Sequence, residues 1–305
     1  VACLRDSACF AMDSNSTQPS RRTLQKQTDQ PPSRDNRPSS PNGSSSFTAV
    51  RSRLAPLSLV VLLLAACGNE LVAAGPRKEA SRPMEKRGPL AWINARFFFE
   101  SILGCGGQIE LPKEYLKNIV RFVRQKNALC IADEVQTGFG RVGNNFWAFE
   151  EHGIVPDIIT LGKPMGNGHP IAAVVTTTKI ANTFNNGMEY FNSFGGNPVS
   201  CAVGDAVLDV IEKENLQKNA KIVGDYFVKQ LRKIQIKFPN FISKISGKGL
   251  FIGIDLIING NLSLPNQKLA TKLINILRLR GVLLSTDGPF NNVIKIKPPL
   301  VFNKD

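Results

Sequence analysis

The sequence predicts an α/β fold, in which a mainly parallel β-sheet is covered by helices on both faces. Short apolar runs at 128–132, 157–161 and 171–175 are typical of buried strands. A helical pattern precedes the first run and others follow the third, and this alternation favours parallel pairing within one sheet. Further strand-like and helical stretches between residues 249 and 296 predict a smaller α+β unit near the C-terminus.

The chain before residue 97 shows no pattern of a folded domain. Residues 1–50 are rich in Ser, Pro, Asn, Arg and Gln, so they cannot bury enough apolar surface to offset ordering entropy and are predicted to be disordered. The apolar run 54–67 is short for a membrane span but suits the core of a signal peptide. We favour chance apolar sequence, or sequence joined from elsewhere, with a membrane-anchored binding protein as an alternative. Residues 1–96 are therefore assigned to an unrelated segment.

From residue 97 the pattern is that of folded domains. Residues 111–127 predict an amphipathic helix with Pro112 near its first turn. The aromatic residues Phe146, Trp147 and Phe149 lie in a loop, and we predict that they belong to the core.

The organisation of the second half follows from its helices. Helical patterns at 202–211 and 216–238 lead from the first sheet to the C-terminal unit. We place a partial large domain at 97–205, and a linking helix with a small C-terminal domain at 206–305. The elements expected in that small domain are a strand at 249–258, a helix at 267–280, and strands at 282–284 and 293–296.

Composition narrows the functional class. The formal net charge of +14 includes no dense basic block interleaved with aromatic residues, so a solvated basic surface is favoured over nucleic-acid binding. The six cysteines form no C-x-x-C pair, which indicates reduced thiols, and Cys105, Cys130 and Cys201 are predicted to be buried. With His152 and His169 as the two histidines of the chain, a histidine-rich metal site is not expected, and His169 is expected in a loop near the site.

Two charged side chains follow the first two apolar runs. Asp133 comes directly after the first predicted strand, and Lys163 follows the second within Gly162-Lys163-Pro164. In open α/β sheets, ligands bind at the edge where the strands end. A lysine that can lose its proton is the usual anchor for a Schiff base, and pyridoxal phosphate chemistry needs that lysine together with an acid for the pyridine nitrogen.

The motifs around these residues are long and occur in order along residues 97–300. They are Glu100-Ser101, Gly104-Cys105-Gly106-Gly107-Gln108, ADEVQTGFGR at 132–141, Gly162-Lys163-Pro164 and Phe194-Gly195-Gly196-Asn197-Pro198. With these motifs the chain resembles the class III pyridoxal-phosphate-dependent aminotransferase family. The run 281–299 resembles the phospho-lyase branch of that family, whose members act on phosphoethanolamine or phosphohydroxylysine.

The resemblance implies a fold-type I transferase fold with pyridoxal 5'-phosphate as cofactor, a small-molecule amine as substrate and a homodimer as the assembly. It implies that Lys163 binds the cofactor covalently and later moves the substrate proton, that Asp133 pairs with the pyridine nitrogen, and that Gln136 bonds to the ring hydroxyl. Ser193 stands where the family has a threonine that reaches the cofactor phosphate of the partner subunit, and it keeps a hydroxyl donor.

The chain departs from the family pattern in its first half and at one later position. We find neither a Gly/Ser/Thr loop for the cofactor phosphate nor a stacking aromatic residue before residue 97, so the first half of the cofactor domain is expected to be missing. The chain also stops short of the family's usual closing helix. Ser246 stands where the family commonly has an arginine, and Lys248 is a poor substitute for a bidentate fork.

Three functions stay open at this point. The first is a phospho-lyase acting on a phosphorylated amine, and the second is amino-group transfer to a keto acid by the same residues. The third is a catalytically inactive truncated or misassembled family member. The protein is expected in mitochondria or in the cytoplasm. We expect it to bind neither a metal, a nucleic acid nor a membrane.

Overall fold

A computed structural model describes residues 59–64, 96–184, 187 and 190–304 of the chain. Two five-stranded sheets, a two-stranded sheet formed by a pair of short strands, helices and connecting turns make up these residues. The strands in chain order are β1 (Leu59–Leu64), β2 (Arg96–Glu100), β3 (Ile102–Leu103), β4 (Ile109–Glu110), β5 (Leu129–Asp133), β6 (Ile158–Leu161), β7 (Ala172–Thr177), β8 (Ile242–Lys248), β9 (Phe251–Ile258), β10 (Asn261–Pro265), β11 (Ser285–Asp287) and β12 (Val293–Ile296). The helices are α1 (Tyr115–Gln125), α2 (Thr178–Phe184), α3 (Pro198–Lys213), α4 (Leu216–Lys237) and α5 (Gln267–Leu279).

The larger sheet of the described residues has the strand order β1, β7, β6, β5, β2. Strands β2, β5 and β6 are parallel, whereas β7 is antiparallel to both of its neighbours. All strands except β7 therefore point the same way, and the predicted mainly parallel sheet is confirmed. The strand that the sequence predicted at 171–175 is β7, the one that runs in the opposite direction.

Aromatic side chains from the segment after β5 fill the core beside this sheet. The rings of Phe139 and Phe146 both meet Trp147 edge-on, with centroid distances of 5.2 Å and 4.7 Å. Phe149 is buried with them, and a 3₁₀ turn, Ala148–His152, carries it. Edge-on contacts of this kind stabilise aromatic clusters beyond the area that they bury. The prediction that this loop contributes to the core is confirmed.

Helix α1 begins later than the sequence pattern predicted. Glu114 has a left-handed backbone conformation, with φ of 64°, and such a residue cannot continue a helix toward its N-terminus. The amide of Tyr115 donates to the carbonyl of Pro112 at 3.1 Å, so Pro112 belongs to the turn before the helix. Leu116 and Val120 are the buried positions of α1, on the apolar side that the pattern predicted.

The smaller sheet has the order β10, β9, β12, β11 among the described residues, and β8 pairs with β9 on a branch from this path. Helices α4 and α5 pack on it, with Leu231, Ile252 and Ala270 among its buried side chains. The strand predicted at 282–284 lies at Ser285–Asp287 instead. Gly281, with φ of 81°, and Val282, whose amide donates to the carbonyl of Leu277 at 2.9 Å, still cap the end of α5.

The two sheets are joined through the segment between β5 and β6. Phe251 of β9 is fully buried against Ile102, Val142 and Ala148, all of which precede β6. The amide of Leu250 donates to the carbonyl of Arg141 at 3.0 Å. The smaller sheet is therefore attached to the loop that follows β5.

Several expectations fall on residues outside the described ranges. They include the disorder of residues 1–50 and most of the apolar run 54–67. The backbone of Leu59–Leu64, within that run, forms β1 and pairs antiparallel with β7. Within the described part of the chain, no helix combines the length and apolar character that crossing a membrane requires. The domain boundaries stay predictions, and residue 205 lies inside α3.

Candidate active site

The ends of β5 and β6 bring two predicted site residues to one edge of the larger sheet. Asp133 ends β5 and pairs with Thr160 of β6, and Lys163 follows shortly after the end of β6. The turns that follow these strands touch, because a Cβ placed on Gly162 would lie 3.4 Å from the methyl carbons of Val135. The amide of Val135 donates to Oδ1 of Asp133 at 2.9 Å, and within the described residues Oδ2 accepts no hydrogen bond. One carboxylate oxygen is thus available to a ligand.

Lys163 begins a short 3₁₀ turn, Lys163–Met165, directly after the strand end. Its side chain is exposed in the described structure. Gly166 closes the turn and has no room for a side chain, because a Cβ there would lie 2.1 Å from the carbonyl oxygen of His169. The backbone around Lys163 is therefore tightly held while its amine faces outward.

Gln136 lies in the turn that follows β5, next to a glycine that leaves space for it. It is 8 % exposed, and its Nε2 lies 3.9 Å from Sγ of Cys105. A Cβ on Gly104 would approach Nε2 of Gln136 to 2.5 Å, so only glycine leaves this amide its position. The prediction that Cys105 is buried is wrong, because it lies at the tip of the tight turn that begins at Gly104 and is exposed. The predictions for Cys130 and Cys201 are confirmed.

His169 joins the Lys163 turn to the start of α3. Its Nε2 lies 2.8 Å from Oγ of Ser200, which also accepts a hydrogen bond from the Asn197 amide at 3.0 Å. Asn197 caps α3, since its Oδ1 accepts from the Ser200 amide at 2.9 Å. The expectation that His169 lies in a loop near the site is confirmed, and its contacts show how that loop is held.

Ser193 lies in the loop before α3. It is exposed, and Oδ1 of Asn192 accepts from the amides of Phe194 and Gly195 at 3.1 Å and 3.0 Å, which shapes the turn around it. The structure thus displays the Ser193 hydroxyl on the surface of the chain.

Glu134, next to Asp133, is a fully buried carboxylate whose role the sequence did not reveal. Its oxygens accept from the amides of Ala148 and Phe149 at 3.0 Å each, and from the Thr137 hydroxyl at 3.0 Å. Burial raises the pKa of Glu134 to about 7, against the lowering effect of these hydrogen bonds. The available signal in the sequence was the position of Glu134 as the second acid of the pair that ends the strand, because the chain turns into the core directly after the strand.

The position of the missing arginine carries no replacement for it. Ser246 is buried, and its hydroxyl donates to the carbonyl of Gly107 at 3.3 Å. Lys248 forms an ion pair with Glu151. Neither side chain is placed to receive a substrate carboxylate.

Comparisons with known proteins identify the family. The family model for aminotransferase class-III matches residues 93–305. The chain belongs to the aminotransferase class-III family. It is 48 % identical to a Drosophila melanogaster protein named alanine–glyoxylate aminotransferase 2-like, over 69 % of this chain and 43 % of that protein. It is 46 % identical to a Caenorhabditis elegans protein named ethanolamine-phosphate phospho-lyase homolog 1, over 69 % of this chain and 46 % of that protein.

A solved class-III structure agrees with these relatives. An Arthrobacter phospholyase in complex with phosphoethanolamine superposes with a TM-score of 0.66 at 42 % identity, covering 68 % of this chain and 49 % of that one. The chain thus spans about half the length of the proteins that it matches.

Membership of the class-III family implies pyridoxal phosphate as cofactor, and the side chains at the sheet edge fit it. They supply an amine at Lys163, a carboxylate oxygen at Asp133 and an amide at Gln136, with space kept open by Gly104. These are the groups needed to bind an aldehyde, a pyridine nitrogen and a ring hydroxyl.

Replacement of Glu134 by glutamine is predicted to change how stability depends on pH. Between its ordinary pKa of 4.5 and the folded value of about 7, the folded protein holds a proton that the unfolded chain releases. The free energy of unfolding of the wild type should therefore fall as pH rises through this window, by about 3 kcal/mol. Glu134→Gln should lose this fall, and should cost about 1–3 kcal/mol at low pH because its amide faces backbone N–H groups.

Urea unfolding between pH 4.5 and about pH 8 measures both effects. Glu214→Gln is the matched control, because Glu214 is exposed and the same charge is removed. Parallel pH profiles for the wild type and Glu134→Gln would contradict the assignment.

Proposed function

We propose that the chain forms part of a pyridoxal-phosphate-dependent phospho-lyase that acts on a phosphorylated amine. The observation that carries the proposal is the placement of Asp133 and Lys163 at the ends of neighbouring parallel strands. The names of the C. elegans relative and the Arthrobacter structure support a phosphorylated amine as substrate.

Pyridoxal phosphate, when bound, supplies an electrophilic aldehyde and a ring that accepts electrons from the substrate carbon. Lys163 would hold the aldehyde through its amine, and the same amine is the base that would take the proton from the substrate carbon next to the substrate amine. The free Oδ2 of Asp133 would hold a proton on the pyridine nitrogen, and Gln136 would orient the ring through its hydroxyl. The His169–Ser200 contact holds the loop that follows Lys163, and so limits where its amine can reach.

The missing arginine favours phosphoethanolamine within this class. The Ser246 hydroxyl donates a hydrogen bond to the Gly107 carbonyl, and Lys248 forms an ion pair with Glu151. A substrate without a carboxylate does not need either residue. Phosphoethanolamine has none, whereas phosphohydroxylysine and the usual amino acid substrates of transamination do.

Lys163 should be required for a visible absorption band when pyridoxal phosphate is added to the purified chain. The expected result is a band for the wild type that Lys163→Ala abolishes, because the link between amine and aldehyde produces it. Lys179→Ala is the control, since Lys179 is an exposed lysine on α2. Absence of the band from the wild type as well would overturn the proposal for this chain and favour an inactive family member.

The products separate the lyase from a transaminase. In the lyase reaction the carbon–oxygen bond to phosphate breaks after the neighbouring carbon loses its proton, and water then converts the remaining enamine to acetaldehyde and ammonia. With phosphoethanolamine as substrate, we expect release of inorganic phosphate in a one-to-one ratio with acetaldehyde. Consumption of a keto acid with no phosphate release would identify amino-group transfer instead.

We also propose a homodimer in which Ser193 reaches the cofactor phosphate of the other subunit. The loop that carries Ser193 exposes apolar side chains, with Phe191 79 % exposed and Phe194 55 % exposed. Exposed aromatic residues that lie together mark an interaction surface. Placement of the protein in mitochondria or cytoplasm stays a prediction.

Sedimentation equilibrium tests the dimer. Phe191→Ser should weaken self-association about ten- to a hundredfold, because burial of a phenylalanine side chain contributes about 1.5–3 kcal/mol. Phe290→Ser serves as the control, since Phe290 is 59 % exposed and lies in the turn between β11 and β12. A wild type that stays monomeric with pyridoxal phosphate present would remove the role proposed for Ser193.

A further inference from the structure

Strand β12 directs two lysines to the same side of the smaller sheet. Residues two apart in an extended chain share a face, so Lys297, which directly follows β12, lies on the same face as Lys295, with the buried Ile296 between them in the sequence. Lys295 lies 2.8 Å from Oδ2 of Asp287, and that same oxygen accepts from Nε2 of Gln108 at 2.8 Å. Asp287 is thus already engaged by two donors.

Lys297 is half-buried among other cations. Within the described residues it forms neither a hydrogen bond nor an ion pair. Burial, together with the neighbouring charges of Arg141, Lys163 and Lys295, lowers the pKa of Lys297 to about 8, with Asp287 opposing them. Lys297 therefore lies within electrostatic reach of the lysine at the sheet edge.

Arg141 adds a second cation that no described carboxylate neutralises. Its Nη1 donates to the carbonyls of Leu250 and Pro298 at 3.1 Å and 2.7 Å, and it is 9 % exposed. Burial lowers the pKa of Arg141 to about 10. Keeping Arg141 and Lys297, two partly buried cations, near each other without an anion of their own among the described residues is unfavourable, and a bound anion relieves the cost.

We infer that Lys297 is the residue that binds the phosphate group of the substrate, with Arg141 and Lys295 adding positive charge around it. The inference rests on the proposed function and names the residue that recognises the phosphate group of the substrate. A dianionic phosphate monoester compensates this cluster better than a singly charged carboxylate does, because each added negative charge interacts with all of the cations. Ethanolamine, which lacks the phosphate, should gain nothing from Lys297.

Calorimetric titration of the full chain without added cofactor tests the contact. The ligands are inorganic phosphate, phosphoethanolamine and ethanolamine. Lys297→Gln should weaken binding of the two phosphate compounds about tenfold or more, and should leave ethanolamine unchanged. Lys297→Arg should restore most of the affinity because it keeps the positive charge. Lys272→Gln is the matched control, since Lys272 is exposed on α5 and the same charge is lost.

Pyridoxal phosphate also carries a phosphate group. A second set of titrations shows whether Lys297 binds the phosphate of the cofactor or that of the substrate. Affinities for pyridoxal phosphate and for pyridoxal are compared in the wild type and in Lys297→Gln. If the variant loses affinity for pyridoxal phosphate alone, the site serves the cofactor and the inference is overturned. It is also overturned if phosphoethanolamine binds the wild type and Lys297→Gln equally, or does not bind the wild type.

Thermal unfolding of Lys297→Gln and Lys297→Arg shows whether both variants fold. The binding comparison measures no turnover. A chain that binds phosphoethanolamine through Lys297 but releases no phosphate would therefore refute the lyase proposal and leave the inference standing.

Discussion

The buried carboxylate of Glu134 is the contact on which the arrangement of the site depends. The backbone amides of Ala148 and Phe149 donate to it. The segment between β5 and these two residues is therefore closed into a fixed loop. That loop presents Gln136 beside the sheet edge and carries Arg141 to the smaller sheet. An unpaired acid at this depth would cost several kcal/mol, and the hydrogen bonds around Glu134 offset that cost. One side chain thus positions a candidate cofactor ligand and the joint between the sheets.

Electrostatics connects this scaffold to the chemistry. Arg141 bonds to backbone carbonyls of the smaller sheet, so its charge contributes to the field around Lys297 without being cancelled by an acid. Asp287, the carboxylate among the described residues that acts on Lys297, is shared by Lys295 and Gln108. A positive site of this kind selects ligands by their charge before any contact is made. Recognition of an anion at Lys297 and covalent chemistry at Lys163 would then be two functions of one cationic region.

The sequence predicted those parts of the fold and site that depend on local pattern. The runs that became β5 and β6, and the residues Asp133 and Lys163 at their ends, could be read because strand ends and turn residues are encoded locally. The start of α1 was misjudged because the left-handed conformation of Glu114 is a property of the folded turn. Strand β8 was missed because its Ser, Lys and Gly residues carry no apolar run, and its pairing with β9 defines it. Lys297 could not be singled out, since two of its cationic neighbours, Arg141 and Lys163, come from segments that are distant in the sequence.

The exposure of Lys163 and of the edge strand β2 bears on how the site is completed. A lysine that forms a covalent link with an aldehyde works best where water is excluded, yet Lys163 is exposed in the described residues. On β2, Phe98 is 63 % exposed, and β5 is the one strand paired with β2 in the described part. Bare strand edges and exposed aromatic side chains are normally covered in a working protein. The chain matches less than half of the length of these relatives. If Lys163 binds pyridoxal phosphate as proposed, water must be excluded from its amine, and burial of the exposed Lys163 side chain is the change that would make that chemistry effective.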